Sequence, residues 1–553
     1  MQKKYRVRER AHPELLYDLM SARGVVGEAA QQQFLDPSFE RDSHDPMLLP
    51  DMEKAVDRLI AAKKLGEKVC VWSDYDCDGI PGGVALTEFL REIGLNVRHY
   101  IPHRHKEGYG LNEEGLNELL ADGTKIIITV DLGTTEHENI AYAQGKGVDI
   151  IVTDHHIAPP TLPDAFALIN PKRLDSKYPF DGLCGAGVAW KLIQGVLSKN
   201  RFDMKDGHEK WLLDLIGMAT LSDMVPLVGE NRMLARYGLV VMRKARRPGL
   251  ASLLQILKIK PAALTEDDIG FMIAPRINAA SRMDSPDVAA QLLAATNPDR
   301  GAELAHALDK INNERKTLVA TTVKEVNKRM VDHPDDPVIV MGNPNWRPGI
   351  LGLVANKLVE THNKPAFLWG REGGDIIRGS VRGDGIVSVV ELMQGAQEVF
   401  DHFGGHAASG GFSLEQERVP ELAPKLSAVY KKLRSTVSEE KEILIDRQLD
   451  VSELAHAQKD LLKLAPFGVG NEKPLFIFPN VYIARTKMFG KGNDHLDMEL
   501  KGPLSPFGVS GIAFFSTPES FTKRAEAGVR GDVVGNVELD WRGRPRIRVV
   551  DII

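Results

Sequence analysis

The chain has 553 residues and a mass of 61.0 kDa, too long for one hydrophobic core and sized for three or four domains. Its formal net charge of −6, from 70 Lys and Arg against 76 Asp and Glu, excludes a protein that coats nucleic acid by bulk charge and leaves such binding to local basic patches. Three cysteines exclude a disulfide framework and predict a reducing compartment, and the absence of any apolar run of transmembrane length predicts a cytoplasmic protein with no membrane partner.

In chain order, residues 1–50 read as a polar, helix-leaning extension. Three apolar β-branched runs follow, Val69-Cys70-Val71-Trp72, Ile126-Ile127-Ile128-Thr129-Val130 and Ile150-Ile151-Val152-Thr153. They are continuous rather than alternating, which predicts strands buried on both faces of a parallel sheet. Helical stretches at 82–93 and 135–144 complete the β-α-β rhythm of a doubly wound α/β domain, whose strand ends converge on one crevice.

Directly after the three runs stand Asp74-Tyr75-Asp76-Cys77-Asp78-Gly79, Asp131 and Asp154-His155-His156. An aspartate after a strand is, singly, more often a helix cap or turn residue. Three such clusters in one crevice are different, because unpaired buried carboxylates are too costly to assemble without cations. Carboxylate oxygens suit magnesium or manganese, and imidazole nitrogen shifts the preference toward manganese or another transition metal. No Cys-x-x-Cys or His-Glu-x-x-His spacing competes for zinc.

This domain is expected over 51–230, followed by a helical connector over 231–333 that contains one long spacer helix at 301–331. The turn-rich His333-Pro334-Asp335-Asp336-Pro337 ends it. A second α/β domain is expected over 334–437, with a strand at 338–341, a helix at 349–361, a strand at 376–381, a helix at 387–400 and a glycine-dense loop at 404–411. Over 438–553 short runs separated by turn residues, at 481–483, 495–500, 511–515 and 533–539, predict a small β-barrel. The OB-fold is one such barrel and a common platform for single-stranded nucleic acid. Two basic stretches, 236–247 and 542–548, are candidate nucleic-acid patches, and a solvated helix or strand face explains them equally well.

Several of these segments match a known family. Asp154-His155-His156 resembles the signature of the DHH phosphoesterase superfamily, and Ser73 through Gly79 resembles its first motif in the form used by the RecJ exonucleases. Val130-Asp131-Leu132-Gly133, the segment 221–227 and Pro275-Arg276-Ile277-Asn278-Ala279-Ala280-Ser281-Arg282 are similar to later motifs. The segments 346–352, 379–382 and 403–406 resemble the DHH-associated domain, and 466–471 resembles the block that opens the RecJ OB-fold.

The resemblance implies two α/β domains, a DHH domain with a parallel sheet and a DHH-associated domain, joined by a long helix, plus a C-terminal OB-fold β-barrel. It implies a metal-dependent, single-stranded-DNA-specific 5′-to-3′ exonuclease of recombination and repair that releases mononucleotides. Two divalent cations, manganese or magnesium, would lie about 3.5–4 Å apart and serve an in-line phosphodiester hydrolysis. The family pattern assigns Asp78, Asp131, His155 and Asp223 to one metal and Asp74, Asp76 and Asp131 to the other. Asp131, His156 and Asp223 carry the catalytic roles, with His156 facing the scissile phosphate. A 5′-phosphate pocket maps onto Arg104, Ser380 and Arg382, with Tyr109 beside it, and Arg276, Asn278, Arg282 and His406 are candidates for gripping the neighbouring nucleotides. The implied partners of this monomeric enzyme are single-stranded DNA, a helicase and a single-strand-binding protein.

Pro81, Ser281 and Arg347 depart from the family pattern. Proline is tolerated in a first helical turn, and Arg347 is expected to add a phosphate contact. Two other functions fit parts of the pattern. A DHH phosphodiesterase for short oligonucleotides or cyclic dinucleotides usually does without the barrel, and a non-catalytic binding relative would have lost aspartates that are all present here.

Overall fold

The computed structural model describes residues 4–333, 335–372, 376–436, 442–490, 492–505, 507–540 and 542–553. The chain opens with strand β1 (Lys4–Val7). The metal-proximal domain is a five-stranded sheet of β2 (Lys68–Ser73), β3 (Asn96–Tyr100), β4 (Thr124–Val130), β5 (Asp149–Thr153) and β6 (Ala167–Ile169), ordered β3-β2-β4-β5-β6 with every pairing parallel. Alternate residues of its strands feed two cores. Val71, Ile128 and Ile151 pack on one face, and Cys70, Trp72, Ile127 and Val152 on the other. That double burial is why the runs are continuously apolar.

The helix Pro298–Met330 has 33 residues and spans about 50 Å at 1.5 Å per residue. It packs against the helix Ala274–Met283 at one end and the helix Pro348–His362 at the other, so it bridges the two α/β domains. The second domain holds β7 (Ile339–Gly342), β8 (Ala366–Gly370), β9 (Ile377–Arg382), β10 (His402–Gly405) and β11 (Ser409–Leu414), ordered β10-β11-β9-β8-β7. Only β7 and β8 pair in parallel. The helix expected at 387–400 is broken at Gly395 into Val389–Gln394 and a 3-10 turn, Gln397–Val399.

Strand β12 (Glu442–Ile445) pairs with β1 in parallel. After β13 (Arg447–Gln448), the strands β14 (Phe476–Phe489), β15 (His495–Lys501), β16 (Val509–Phe514), β17 (Arg530–Leu539) and β18 (Pro545–Ile552) form a barrel that closes through β14 pairing with β17. The strand expected at 481–483 is the middle of the longer β14, which runs through Pro479 and Asn480. They sit at a register shift between Phe478 and Val481, the kind of bulge that bends one long strand to serve two neighbours.

The segment from residue 15 to residue 35 is not a free lead-in. Leu15, Leu16, Leu19, Met20 and Phe34 share the barrel's core with Phe476, Phe478 and Leu461. The two basic stretches are also corrected. Arg243 donates to the Leu264 carbonyl at 2.7 and 2.9 Å, Arg246 stacks on Trp211, and Arg247 forks onto Glu88 and Asp214. Arg544 pairs with Asp540, and Arg546 of β18 with Glu538 of β17. Both stretches build structure, and these partners take up charge that the sequence displays as free.

Candidate active site

The carboxyl ends of β2, β4 and β5 deliver Asp74, Asp131 and Asp154, each continuing its strand's ladder through its amide to the Val130, Thr153 and Ile169 carbonyls. Asp131 adopts a left-handed backbone (φ 66), a conformation that side chains other than Gly, Asn and Asp rarely take. Gly185 opens the helix Gly185–Lys199 against it, and a Cβ at that position would lie 2.6 Å from Asp131 Oδ1. Asp76 caps the following turn by accepting from the Asp78 and Gly79 amides, and the Gly185 and Ala186 amides bond the two Asp78 oxygens at 2.6 and 2.8 Å. Asp223 arrives from the end of the helix Leu213–Ser222.

These elements bring the ligand atoms together. Asp78, His155 and Asp223 form one group and Asp74, Asp76 and Asp131 a second, with the ligand atoms of each group within 4.8 Å of one another. His155 Nε2 stands 3.1 Å from Asp131 Oδ1 and 3.7 Å from both Asp78 Oδ2 and Asp223 Oδ2, which joins the groups through Asp131. Asp74 Oδ1, Asp131 Oδ1 and Asp223 Oδ2 are buried without a hydrogen-bond partner. Burial and the neighbouring carboxylates push Asp78 up to about 6 and Asp223 up to about 9 and raise Asp74 and Asp131 well above the usual carboxylate range, and burial pulls His155 down to about 4. Converging orphan oxygens that resist ionisation beside a neutral imidazole fit divalent cations of the manganese or magnesium type, whose charge would reverse those shifts.

His156 differs from its neighbour. Its Nδ1 donates to Asp154 Oδ1 at 2.7 Å, and half of its side chain is exposed. Asp154 also accepts from the His155 and Thr134 amides, and Asn170 braces the turn through Thr134 Oγ1 and the His156 carbonyl. Asp154 is therefore an orienting group with both oxygens occupied. The cluster Asp154-His155-His156 suggests a cation ligand at Asp154 as well, but its oxygens are taken by Thr134, His155 and His156 and it joins none of the groups among the described residues that could hold a metal ion.

Beyond the carboxylates a cleft of about 640 Å³ opens between the two α/β domains, with Tyr75, Arg104, Tyr109, Ser380, Arg382 and His406 among its lining residues. Arg104 lies over the Tyr75 ring, which meets Tyr109 edge-on. Arg382 Nη1 reaches Ser380 Oγ at 3.3 Å, and Gly352 leaves the room that both occupy. Arg282 bonds the Gly349 carbonyl across the domain boundary at 3.2 Å while its Nε stays unpartnered. Burial and the nearby Arg104, Arg315 and Arg382 push its pKa down to about 10. Such crowding of guanidiniums favours the binding of an anion.

Two candidates lie elsewhere. Arg276 is buried against Asp309 of the long helix at 2.8 Å and bonds the Met272 carbonyl, so it clamps helices together. Asn278 accepts from the Cys77 amide at 2.8 Å and steadies the first acidic loop. Arg347 is paired with Glu372 at 2.9 Å rather than free for phosphate. Arg315, which the sequence reading passed over, has an unpartnered buried Nε and adds charge beside Arg282. The polar run Asn312-Asn313-Glu314-Arg315-Lys316 within the helix was its only trace in the sequence.

Fold and centre together define a chain of the DHH type with its associated domain and a C-terminal OB barrel. The profile of the DHH family, N-terminal domain, matches residues 68–220, the DHHA1 domain 335–432 and the RecJ OB domain 445–550. The chain is 31% identical over 544 residues to the single-stranded-DNA-specific exonuclease RecJ of Bacillus subtilis, across 97% of this chain and 67% of that one. To the RecJ of Escherichia coli it is 31% identical over 490 residues, across 84% and 83% of the two chains. The crystal structure of Thermus thermophilus RecJ in complex with Mn2+ superposes with a TM-score of 0.81 at 26% identity, covering 100% of this chain and 79% of that chain. The chain belongs to the RecJ family.

Proposed function

We propose that the protein is a divalent-cation-dependent, single-stranded-DNA-specific 5′-to-3′ exonuclease that hydrolyses phosphodiester bonds and releases mononucleotides in recombination and repair. The observation that carries this reading is the juxtaposition of the carboxylate and histidine centre with a cleft lined by Arg104, Ser380 and Arg382. A cation-binding centre performs the chemistry, and a pocket of guanidiniums and a hydroxyl recognises the terminal phosphate.

Asp78, His155 and Asp223 would hold one cation and Asp74 and Asp76 the other, with Asp131 within reach of both groups. Divalent cations held there supply an activated water and Lewis-acid neutralisation of the phosphate charge. His156, oriented by Asp154, presents Nε2 to the scissile phosphate and delivers a proton toward the departing 3′ oxygen. Arg282 and Arg315 neutralise the strand's charge, and the exposed Tyr109, backed by Tyr75, offers an aromatic face to the terminal base. Arg104, Ser380 and Arg382 bind the 5′-phosphate and so fix the polarity of attack.

The barrel extends the grip on the single strand, which is why a long-strand exonuclease is favoured over a phosphodiesterase for short oligonucleotides or cyclic dinucleotides. Among the described residues no helix is long and apolar enough to cross a membrane. We place the enzyme in the cytoplasm as a monomer, acting on strands opened by a helicase and presented with a single-strand-binding protein.

The test is a time course on one 3′-labelled strand, single-stranded or duplex, with Mn2+ or chelator. Stepwise shortening from the 5′ end, dependent on metal and absent on duplex, is the expected result. Hydrolysis of dinucleotides alone would overturn it in favour of the short-oligonucleotide reading.

A further inference from the structure

The cleft between the two α/β domains is larger than one terminal phosphate needs, and no carboxylate among the described residues lines it. On β9 the residues Arg378, Ser380 and Arg382 alternate onto one face, and a strand advances about 6.8 Å over two residues. Opposite them on β11 stand Ser413, Gly411 and Ser409, and β10 sets His402 against Ser413. The sheet face therefore carries successive rungs. Arg382 packs over Gly352 and shares the field of Arg282, which itself feels Asp76. Ser380 comes next. Arg378, His402 and Ser413 form the outermost rung, and all three line the cleft.

Neither the Arg378 nor the His402 side chain has a hydrogen-bond or ion-pair partner among the described residues, and both are exposed. An unpaired guanidinium and imidazole one rung past a phosphate pocket, with glycines at Gly404 and Gly411 leaving the floor open, are suited to a further anion. With the 5′-phosphate held by Ser380 and Arg382 and the strand running from there to the metal centre, whatever reaches the outer rung is attached to the terminal phosphate itself.

We propose that Arg378, His402 and Ser413 form a second phosphoryl subsite, so that the cleft accepts single strands whose 5′ end carries a di- or triphosphate. The inference rests on the exonuclease reading above. The bond broken is the one between the second nucleotide's phosphorus and the 3′ oxygen of the first. Water's oxygen remains on the shortened strand as part of a 5′-monophosphate, and the 3′ oxygen leaves with a proton on a nucleoside di- or triphosphate. The first cut thus differs from all later ones only in its product, and no oxidant or co-reactant is needed.

The experiment compares 5′-monophosphate and 5′-triphosphate versions of one 3′-labelled oligodeoxynucleotide in Mn2+, with the full chain and with Arg378→Ala, Arg378→Lys and His402→Ala. The unmutated protein is expected to shorten both strands and to release the first residue of the second as a nucleoside triphosphate. Arg378→Ala is expected to lower kcat/KM on the triphosphate strand by about tenfold or more, the loss of one charge-assisted contact, and to leave the monophosphate strand unchanged. That unchanged rate also shows that the variant is folded. Arg378→Lys recovers part of the loss, since it keeps the charge without the fork.

Rapid cleavage of the monophosphate strand with none of the triphosphate strand would overturn the proposal. So would equal losses on both strands in Arg378→Ala and His402→Ala, which would make the rung a grip on the common nucleotide. Failure to degrade even the monophosphate strand would instead overturn the exonuclease reading beneath it.

Discussion

His156 Nδ1 lies 2.7 Å from Asp154 Oδ1 while Asp154's other oxygen accepts from the Thr134 amide, so one aspartate fixes the tautomer and direction of the histidine that faces the cleft. The hydrogen bond to Asp154 raises the His156 pKa above its usual value, against the pull of burial. The imidazolium donor consequently persists to higher pH than a free histidine would allow. Asp154→Asn keeps the shape but can turn an N–H toward Nδ1. Hydrolysis is expected to fall by about 10²-fold or more with Mn2+ affinity within a few-fold of the parent. Activity that needs the cation is lost as pH rises through the His156 pKa, so the alkaline limb of the variant's pH profile moves to lower pH. An unshifted limb would remove His156 as the donor.

Asp131 is held in the left-handed region with a buried, unpartnered Oδ1 among other carboxylates. Without cations this arrangement is destabilising, and the site stores that cost for binding. Asn tolerates the same backbone, so Asp131→Asn is the informative change. In chelator its Tm should rise above the parent's. Added Mn2+ at about 100 times its Kd stabilises the parent by about 2.7 kcal/mol, and the variant should gain far less and be inactive. Differential scanning calorimetry with and without metal reads both effects, and an Asp131→Asn protein that melts lower in chelator would contradict the account.

The parallel sheet and the acidic loops were legible because double-faced burial and cation binding both write themselves into short contiguous stretches. Val69 to Trp72 and Asp74 to Gly79 needed no partner to be read. What depended on distant pairing was not legible. The charge of Arg247 is spent on Glu88 and Asp214, residues far away in the chain. Phe34 looks like part of a polar extension until the barrel core closes around it. Arg276 and Asn278 sit in a motif that resembles a substrate grip, and only the helix packing shows that Asp309 and the Cys77 amide occupy them.

Arg232 is 2% exposed and has no carboxylate partner among the described residues. Its guanidinium donates to the carbonyls of Phe34, Ala465 and Pro466 and lies 3.6 Å from the Phe34 ring centroid. Burial accordingly pulls its pKa down to about 9. This one side chain ties the metal-binding domain to the amino-terminal segment and the barrel, beside the hydrogen bond from the Leu227 amide to the Val469 carbonyl at 2.7 Å. Arg232→Ala leaves buried carbonyls unpaired and should cost about 3 kcal/mol. The barrel is expected to melt separately, giving two calorimetric transitions where the parent shows one. Cleavage of long strands should suffer more than hydrolysis of a dinucleotide. A single transition at unchanged temperature would show that the joint does not depend on Arg232.

His99 gives a pH dependence independent of the metal centre. Its Nε2 lies 2.9 Å from Oγ of Ser73, the residue before Asp74, and the ring tip is tucked against Gly83. Burial, with Arg91 nearby, pulls its pKa down from 6.5 to about 3. The unfolded chain therefore takes up a proton on His99 first as pH falls, and the folded state does so only near its own lower value. The stability this neutral histidine contributes is complete above about pH 6.5 and is lost as pH falls toward 3, at no more than about 1.4 kcal/mol per pH unit and less because the residue is partly exposed. His99→Gln keeps a partner for Ser73 and binds no proton. Urea midpoints of parent and variant measured at about pH 7, 6 and 5 should diverge, with the parent losing stability faster. Parallel lines would place the acid sensitivity of this domain elsewhere.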